Sequence, residues 1–312
     1  MLSFRPRTAA LTLTAVGLLT LVGCKGGAAT SGKYIPESAT VVGGVDLAGI
    51  QGSKLWKDQF KGLVESKGKK NLDVMAACNL GLDKWKSVTV GMTADGGKDK
   101  IALVVVADGI GKKENLECAH GKFKESEGGE DPWTVAEDGK VLQLSDEGGT
   151  AYVIDDNTIA VAGKDWAADV GTLIKGEGKS VLDGAMKDIV ARADSGKHMW
   201  FAGVLPASMG GMASAQLGAT PKDVAGHIDL SSGVATHVSL GVATKEEAEA
   251  AKTKVEGLYN AAVKDMAKSQ GMSDDTVNSV KFGTDGAAFT VDAKASDEDI
   301  GKSLAQVMPA LL

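Results

Sequence analysis

Two stretches of the chain repeat the same order, a strand rich in apolar and β-branched residues followed by a charged helix start. The first is KDKIALVVVADGIGKKENLECAHGKFK, residues 98–124, and the second is VATHVSLGVATKEEAEAAKTKVEGLY, residues 234–259. Turn signals precede both strands, so each strand is expected to be the second strand of an antiparallel hairpin. A chain built this way has to bury sheet faces and helix faces against each other, which indicates a mixed α+β architecture.

This repeated order predicts an α+β fold made of a tandem duplication of ferredoxin-like units, with antiparallel sheets and with helices packed on one face. The first unit is expected to span residues 34–178 and the second to span residues 179–312. The 41 glycines and the 4% aromatic content predict a core of Val, Ala and Leu that is interrupted by many turns. The length allows the halves to form one large domain or two modest ones.

The first 23 residues have the pattern of a signal peptide. Arg5 and Arg7 precede an uncharged segment, residues 8–23, which is shorter than the roughly 20 apolar residues that a membrane span needs. The next feature, Leu21-Val22-Gly23-Cys24, resembles the lipobox of bacterial lipoprotein precursors. That resemblance implies cleavage before Cys24 and attachment of lipid to its side chain. The alternatives are an ordinary secretory signal with a chance cysteine and a retained membrane helix.

The composition of residues 24–33 indicates where the folded domain is located. Their Gly, Ser and Ala content is typical of a flexible tether with an r.m.s. span of roughly 15 to 18 Å. Two or three acyl chains on one cysteine would hold the protein stably at a bilayer, which is therefore its first predicted partner. Lys25 follows the cysteine, and in the lipoprotein family this residue implies transfer to the outer membrane, with the body facing the periplasm.

The composition and the motifs argue against several classes of function. Acidic residues outnumber basic ones by 41 to 34, so nucleic acid is an unfavourable partner. The tract LIKGEGKS, residues 173–180, departs from a P-loop because Leu173 stands where the first glycine is required. Neither GxSxG nor CxxC occurs. The sequence therefore predicts no enzyme and no cofactor, but a binding or structural protein whose partner is an unknown envelope protein or an apolar ligand. An envelope hydrolase is the third alternative.

Cys78 and Cys118 are the two cysteines that remain after Cys24. An even number of cysteines in an exported protein favours a disulfide, with two buried free thiols as the alternative. Cys78 is expected at the end of one helix and Cys118 inside the next. Two helices that lie side by side on a sheet would bring these positions together.

Two histidines are predicted to face each other across a hairpin. A loop of three residues, 231–233, would place His227 directly opposite His237, on the face that the apolar residues of both strands avoid. Opposed side chains lie about 4.5 to 5.5 Å apart at Cβ, which is close enough to share a metal ion. A zinc site would need a third ligand, for which Asp229 is the nearest candidate. The alternative is a pair of exposed or hydrogen-bonded histidines without metal.

A methionine-rich segment follows the start of the second unit. Met199, Met209 and Met212 lie in MWFAGVLPASMGGMASAQLGATP, residues 199–221, among small residues. Methionine suits adaptable apolar surfaces, so the segment is a candidate for contact with an apolar ligand or with lipid. The alternative is a buried strand followed by a glycine-rich loop and a short helix.

The anchor gives the first testable prediction. Cells that express the protein and grow with radioactive palmitate should incorporate label into it, because the resemblance places the acyl chains on Cys24. A Cys24→Ala variant should lose the label while a Cys78→Ala variant keeps it. Label that persists in the Cys24→Ala protein would contradict the lipoprotein interpretation.

Overall fold

A computed structural model describes residues 31–94, 99–126, 128–136, 138–145 and 148–302. The predicted signal peptide, Cys24 and residues 25–30 of the predicted tether lie outside these residues. Residues 303–312 lie outside them as well. The last part of the predicted tether belongs to the folded body instead, because Ser31 and Gly32 are buried. Within the described ranges, no helix has both the length and the apolar character that crossing a membrane requires.

The strands form one antiparallel sheet. Its order is β11-β12-β10-β9-β8-β1-β2-β3-β7-β6-β5-β4. The bounds are β1 (Val41–Asp46), β2 (Trp85–Met92), β3 (Ile101–Ala107), β4 (Trp133–Val135), β5 (Val141–Leu144), β6 (Thr150–Asp155), β7 (Thr158–Ala162), β8 (Met199–Val204), β9 (Asp223–Asp229), β10 (Val234–Gly241), β11 (Lys281–Asp285) and β12 (Ala288–Ala295).

The helices are mostly short. They are α1 (Leu47–Gly52), α2 (Lys61–Lys67), α3 (Lys69–Ala77), α4 (Lys113–Ser126), α5 (Ala167–Ile174), α6 (Lys187–Arg192), α7 (Ala207–Leu217), α8 (Lys245–Leu258), α9 (Lys264–Ser269) and α10 (Asp274–Asn278). A π-helical turn, Trp56–Phe60, precedes α2, and a second one, Tyr259–Val263, joins α8 to α9. Residues 297–302 are also helical.

Both halves of the sheet run outward from a central pair, β1 and β8. The first half follows the order β1-β2-β3-β7 and the second follows β8-β9-β10-β12, with α4 or α8 after the third strand of each. The α+β class with a large antiparallel sheet is therefore confirmed. The expectation of separate sheets is wrong, because β1 pairs with β8 across the predicted boundary at residues 178 and 179. Because of this pairing, β1 and β8 each have a hydrogen-bonded strand on both sides.

Helices cover both faces of the sheet, which corrects the expectation of one covered face. Val104 and Ala160 pack toward Val170 of α5. The alternating residues Val105 and Ile159 pack on the other face, toward α4. The reason lies in the sequence of β3, IALVVVA, which is apolar without alternation and so needs a partner layer on each side.

A disulfide between Cys78 and Cys118 ties α3 to α4. Cys78 follows the last residue of α3, Cys118 lies inside α4, and their Cα atoms are 5.5 Å apart. The pairing predicted from the cysteine count is confirmed. It closes a loop that contains β2 and β3, so it links the helical layer to the centre of the first half.

Removing this crosslink should lower stability. By the chain-entropy treatment, a loop of this length contributes about 4 kcal/mol. The Cys78→Ser/Cys118→Ser variant should therefore show a lower free energy of unfolding by roughly that amount in urea denaturation. Wild-type protein measured with excess reductant should match the variant. A midpoint that does not move in either sample would contradict a structural role for the bond.

Candidate functional site

An apolar groove of about 380 Å³ lies between the helical arm α8–α9 and the outer strands β10 and β12. The helix α10 and residue 300 close its far side. The lining residues are Val234, Thr236, Tyr259, Val263, Met266, Ala267, Gln270, Met272, Thr276, Val277, Val280, Ala293, Lys294, Ala295 and Ile300.

The helical arm α8–α9 packs on the sheet near its start and exposes apolar side chains near its end. At its start, Thr244 caps α8 by accepting a hydrogen bond from the backbone N–H of Glu247 at 3.2 Å. Ala248 and Ala251 then pack against Phe289 of β12. Because these alanines are small, they let the helix lie close to the strand.

Beyond the alanines, the arm exposes large apolar side chains at the groove. The π-helical turn Tyr259–Val263 inserts one extra residue into the helix and so changes which positions of α9 face the sheet. Val263 and Met266 are 40% and 54% exposed, although both line the groove. Several large apolar side chains exposed next to one another mark a candidate binding surface, whereas a single exposed apolar side chain does not.

Two of the four uncharged polar residues that line the groove are engaged within the protein. The Tyr259 hydroxyl donates to the carbonyl of Val277 at 2.6 Å, and the Thr276 hydroxyl donates to Asp299. The other two are Thr236 and Gln270. Lys294 is the one charged residue among the described lining residues, and strand alternation assigns its side chain to the opposite face from Ala293 and Ala295. The lining is therefore mostly apolar.

The buried carboxylate of Asp299 fixes the far side of the groove. It accepts hydrogen bonds from the hydroxyl of Ser273 at 2.5 Å and from the hydroxyl of Thr276. These bonds from Ser273 and Thr276 lower the pKa of Asp299. They also hold Ile300, one residue along the chain, beside α10.

The methionine-rich segment does not form one site. Met199 lies on β8 and packs into the core with Val45 and Leu47. Met209 and Met212 are 51% and 72% exposed on α7. None of the three lines the groove. The segment consists of a strand, a short connection and a helix, as in its structural alternative, but the predicted glycine-rich loop is wrong because Gly210 and Gly211 lie in α7. Its two outer methionines remain candidates for lipid contact.

The opposed histidines are confirmed as a register pair. His227 lies opposite His237, and the loop of residues 231–233 ends at Gly233, whose φ of +79° a side chain would disfavour. The two rings stack with centroids 5.2 Å apart. Asp229, the expected third ligand, is held instead by Lys197 and His198, each at 3.0 Å. Within the described residues, no group of three or more potential metal ligands occurs.

Two features of these sites, the π-helical turn and Asp292, are not predicted from the sequence. The groove depends on the π-helical turn, for which the helical spacing of residues 245–270 gives no signal. Asp292, which contacts His237, could have been found, because it alternates with Val291 and Ala293 on a strand that pairs with the histidine hairpin.

Comparisons with known proteins add no assignment. No family model matches the chain, and no curated protein matches it. Two crystal forms of TP0453, forms III and I, are similar in structure at 11% and 9% sequence identity, each with a TM-score of 0.48. In both, the match covers 88% of this chain and 96% of the other. A likeness at this level carries no argument about function.

The pKa of Asp299 leads to a prediction of pH dependence. A carboxyl whose pKa is lower in the folded state stabilises the protein above its unfolded pKa of about 3.9, and this contribution is lost as the pH falls below about 5. Replacing the carboxylate in Asp299→Asn should lower stability at pH 7 and should flatten the loss of stability between about pH 5 and about pH 2. Urea denaturation at a series of pH values measures both effects.

Asp275→Asn is the matched control, because it removes an exposed carboxylate from α10, the helix whose Thr276 contacts Asp299. Its stability should follow the wild-type pH dependence. An Asp299→Asn protein with unchanged stability and an unchanged pH profile would show that the hydrogen bonds to Asp299 do not hold the groove together.

Proposed function

We propose that this protein is a non-catalytic, lipid-anchored binding protein of the cell envelope, and that it takes a single acyl chain of an envelope lipid into the apolar groove. The observation that carries the proposal is the open, mostly apolar groove, in which Val263 and Met266 stay exposed beside β10 and β12. The duplication of one α+β unit, proposed from the sequence, is supported by the common outward strand order of the two halves.

The chemistry of the lining favours an apolar ligand over a polar one. The hydroxyls of Tyr259 and Thr276 already donate hydrogen bonds within the protein, and only Thr236 and Gln270 add further uncharged polar side chains, so a polar ligand would lose more hydration than this lining replaces. An acyl chain loses no hydrogen bonds, and burying apolar area contributes about 25 cal/mol per Å². Met266 and Met272 can adapt to a flexible chain because their side chains are unbranched.

The size and the predicted location agree with this ligand. The volume of about 380 Å³ lies near the lower end of small-molecule sites, which suits one chain rather than a whole phospholipid. The predicted outer-membrane anchor at Cys24 and its short tether would keep the groove near a bilayer. A site near the membrane surface would meet its ligand at a high local concentration.

A second candidate is recognition of an envelope protein through the same exposed residues. The exposure of Leu258, which lies on the arm but not in the lining, favours this alternative. Native mass spectrometry separates the two. A lipid that copurifies at near-stoichiometric amounts supports the carrier, and a protein free of lipid supports partner recognition.

Titration with the methyl ester of cis-parinaric acid, a fluorescent single-chain probe that carries no charge, tests the groove directly. Met266→Lys places a charge on the lining, and its affinity should fall about tenfold or more, since desolvating an unpaired charge costs over 1.4 kcal/mol. Met212→Lys is the matched control, because that methionine is exposed on α7 outside the groove. Its affinity should stay within about twofold of wild type.

The reverse result would place the site on the methionine-rich segment and contradict the proposal. Absence of binding to the wild-type protein would also contradict it. Circular dichroism of both variants shows that any loss of affinity is not a loss of folding.

A further inference from the structure

We propose that His227 and His237 form an exchangeable binding site for a divalent transition-metal ion. The site lies on the face of the sheet opposite the groove, because His237 alternates along β10 with Thr236, a groove residue. It is therefore independent of the proposed acyl-chain site.

The hydrogen bonds of the two rings determine which nitrogen is free. His227 Nδ1 lies 3.1 Å from the carbonyl oxygen of Ala193, which only accepts, so the proton of a neutral ring sits on Nδ1. His237 Nδ1 lies 2.9 Å from a carboxylate oxygen of Asp292, which fixes the same tautomer. Each ring then presents the lone pair of Nε2, the form in which imidazole binds a metal.

Histidines that bind a metal through one ring nitrogen generally donate a hydrogen bond from the other nitrogen to a carboxylate or a carbonyl. Asp292 and Ala193 supply one such partner to each ring. Asp292 is a positioning residue in this site, because it acts on the ion through His237.

The two rings are close enough to share one ion. They belong to directly paired residues, their centroids are 5.2 Å apart and their planes are inclined by 19°. Nitrogens that bind one zinc ion at 2.0 to 2.1 Å lie about 3.3 Å from each other in tetrahedral geometry. To bind one ion, the two rings would have to tilt from the stacked arrangement so that their Nε2 edges converge.

The cationic side chains near His227 are engaged by other residues. Lys197 is bound to Asp229, and Arg192 is bound to Asp223 and to Ser239.

The ligand set determines the class of ion. Two imidazoles favour Cu²⁺, Ni²⁺ and Zn²⁺ over Mg²⁺ and Ca²⁺, which prefer oxygen ligands. Because the described residues supply no group of three ligands, water would complete the coordination. An ion with two protein ligands exchanges more readily than one in a closed four-ligand structural site. Affinity should follow the general order in which Cu²⁺ exceeds Zn²⁺.

Calorimetric titration of the untagged, full-length protein with CuCl₂ and ZnCl₂ tests the site. We expect one ion per chain, tighter binding of Cu²⁺, and a Cu²⁺ electron paramagnetic resonance spectrum with coupling to two imidazole nitrogens. His227→Ala and His237→Ala should each abolish this spectrum. The control His120→Ala should keep it, because that histidine lies on α4 and contacts the carbonyl of Trp133.

Asp292→Asn should weaken Cu²⁺ binding by about 10- to 100-fold while the spectrum still shows two nitrogens. Met266→Lys should leave metal binding unchanged, so that failure of the groove proposal and failure of this one are distinguishable. Absence of binding to the wild-type protein, or stoichiometric binding that survives both histidine substitutions, would overturn the proposal.

Discussion

The antiparallel pairing of β1 with β8 is the interaction on which the rest of the structure depends. Val41 to Val45 pair with Gly203 to Met199, and this ladder makes one sheet from two outward-running halves. Without it, two central strands would expose unpaired backbone groups at their edges. Both candidate sites lie on strands that are built outward from β8, with the groove on one face and the histidine pair on the other.

The features that the sequence could predict are local ones. The register of His227 and His237 follows from period-2 alternation and a three-residue loop, both of which are visible within residues 224–242. The disulfide followed from a count of two cysteines and from helix positions. The pairing of β1 with β8 joins strands separated by most of the first half, and no local pattern specifies it. The groove likewise depends on a π-helical turn and on contact between distant elements.

The same physical reasoning explains the correction about the sheet faces. β3 is apolar along its whole length, and continuous apolar runs belong to strands that are covered on both faces. In the second half, α8 covers one face of β10 and β12, whereas the other face carries His237 and Asp292. The second half therefore has one polar face, where we propose the ion site, and one partly covered apolar face, where we propose the acyl-chain site.

The proposed function requires an acyl chain to lie in the groove beneath α9. A crystal structure of the protein with a fatty acid brominated along its chain would locate the ligand, since bromine scatters anomalously and marks its own position. We expect bromine peaks between Met266 and the β10–β12 strands, in contact with Val263 and Ile300. Peaks against Met209 and Met212 on α7, or a groove with no bromine at saturating ligand, would contradict the proposed function.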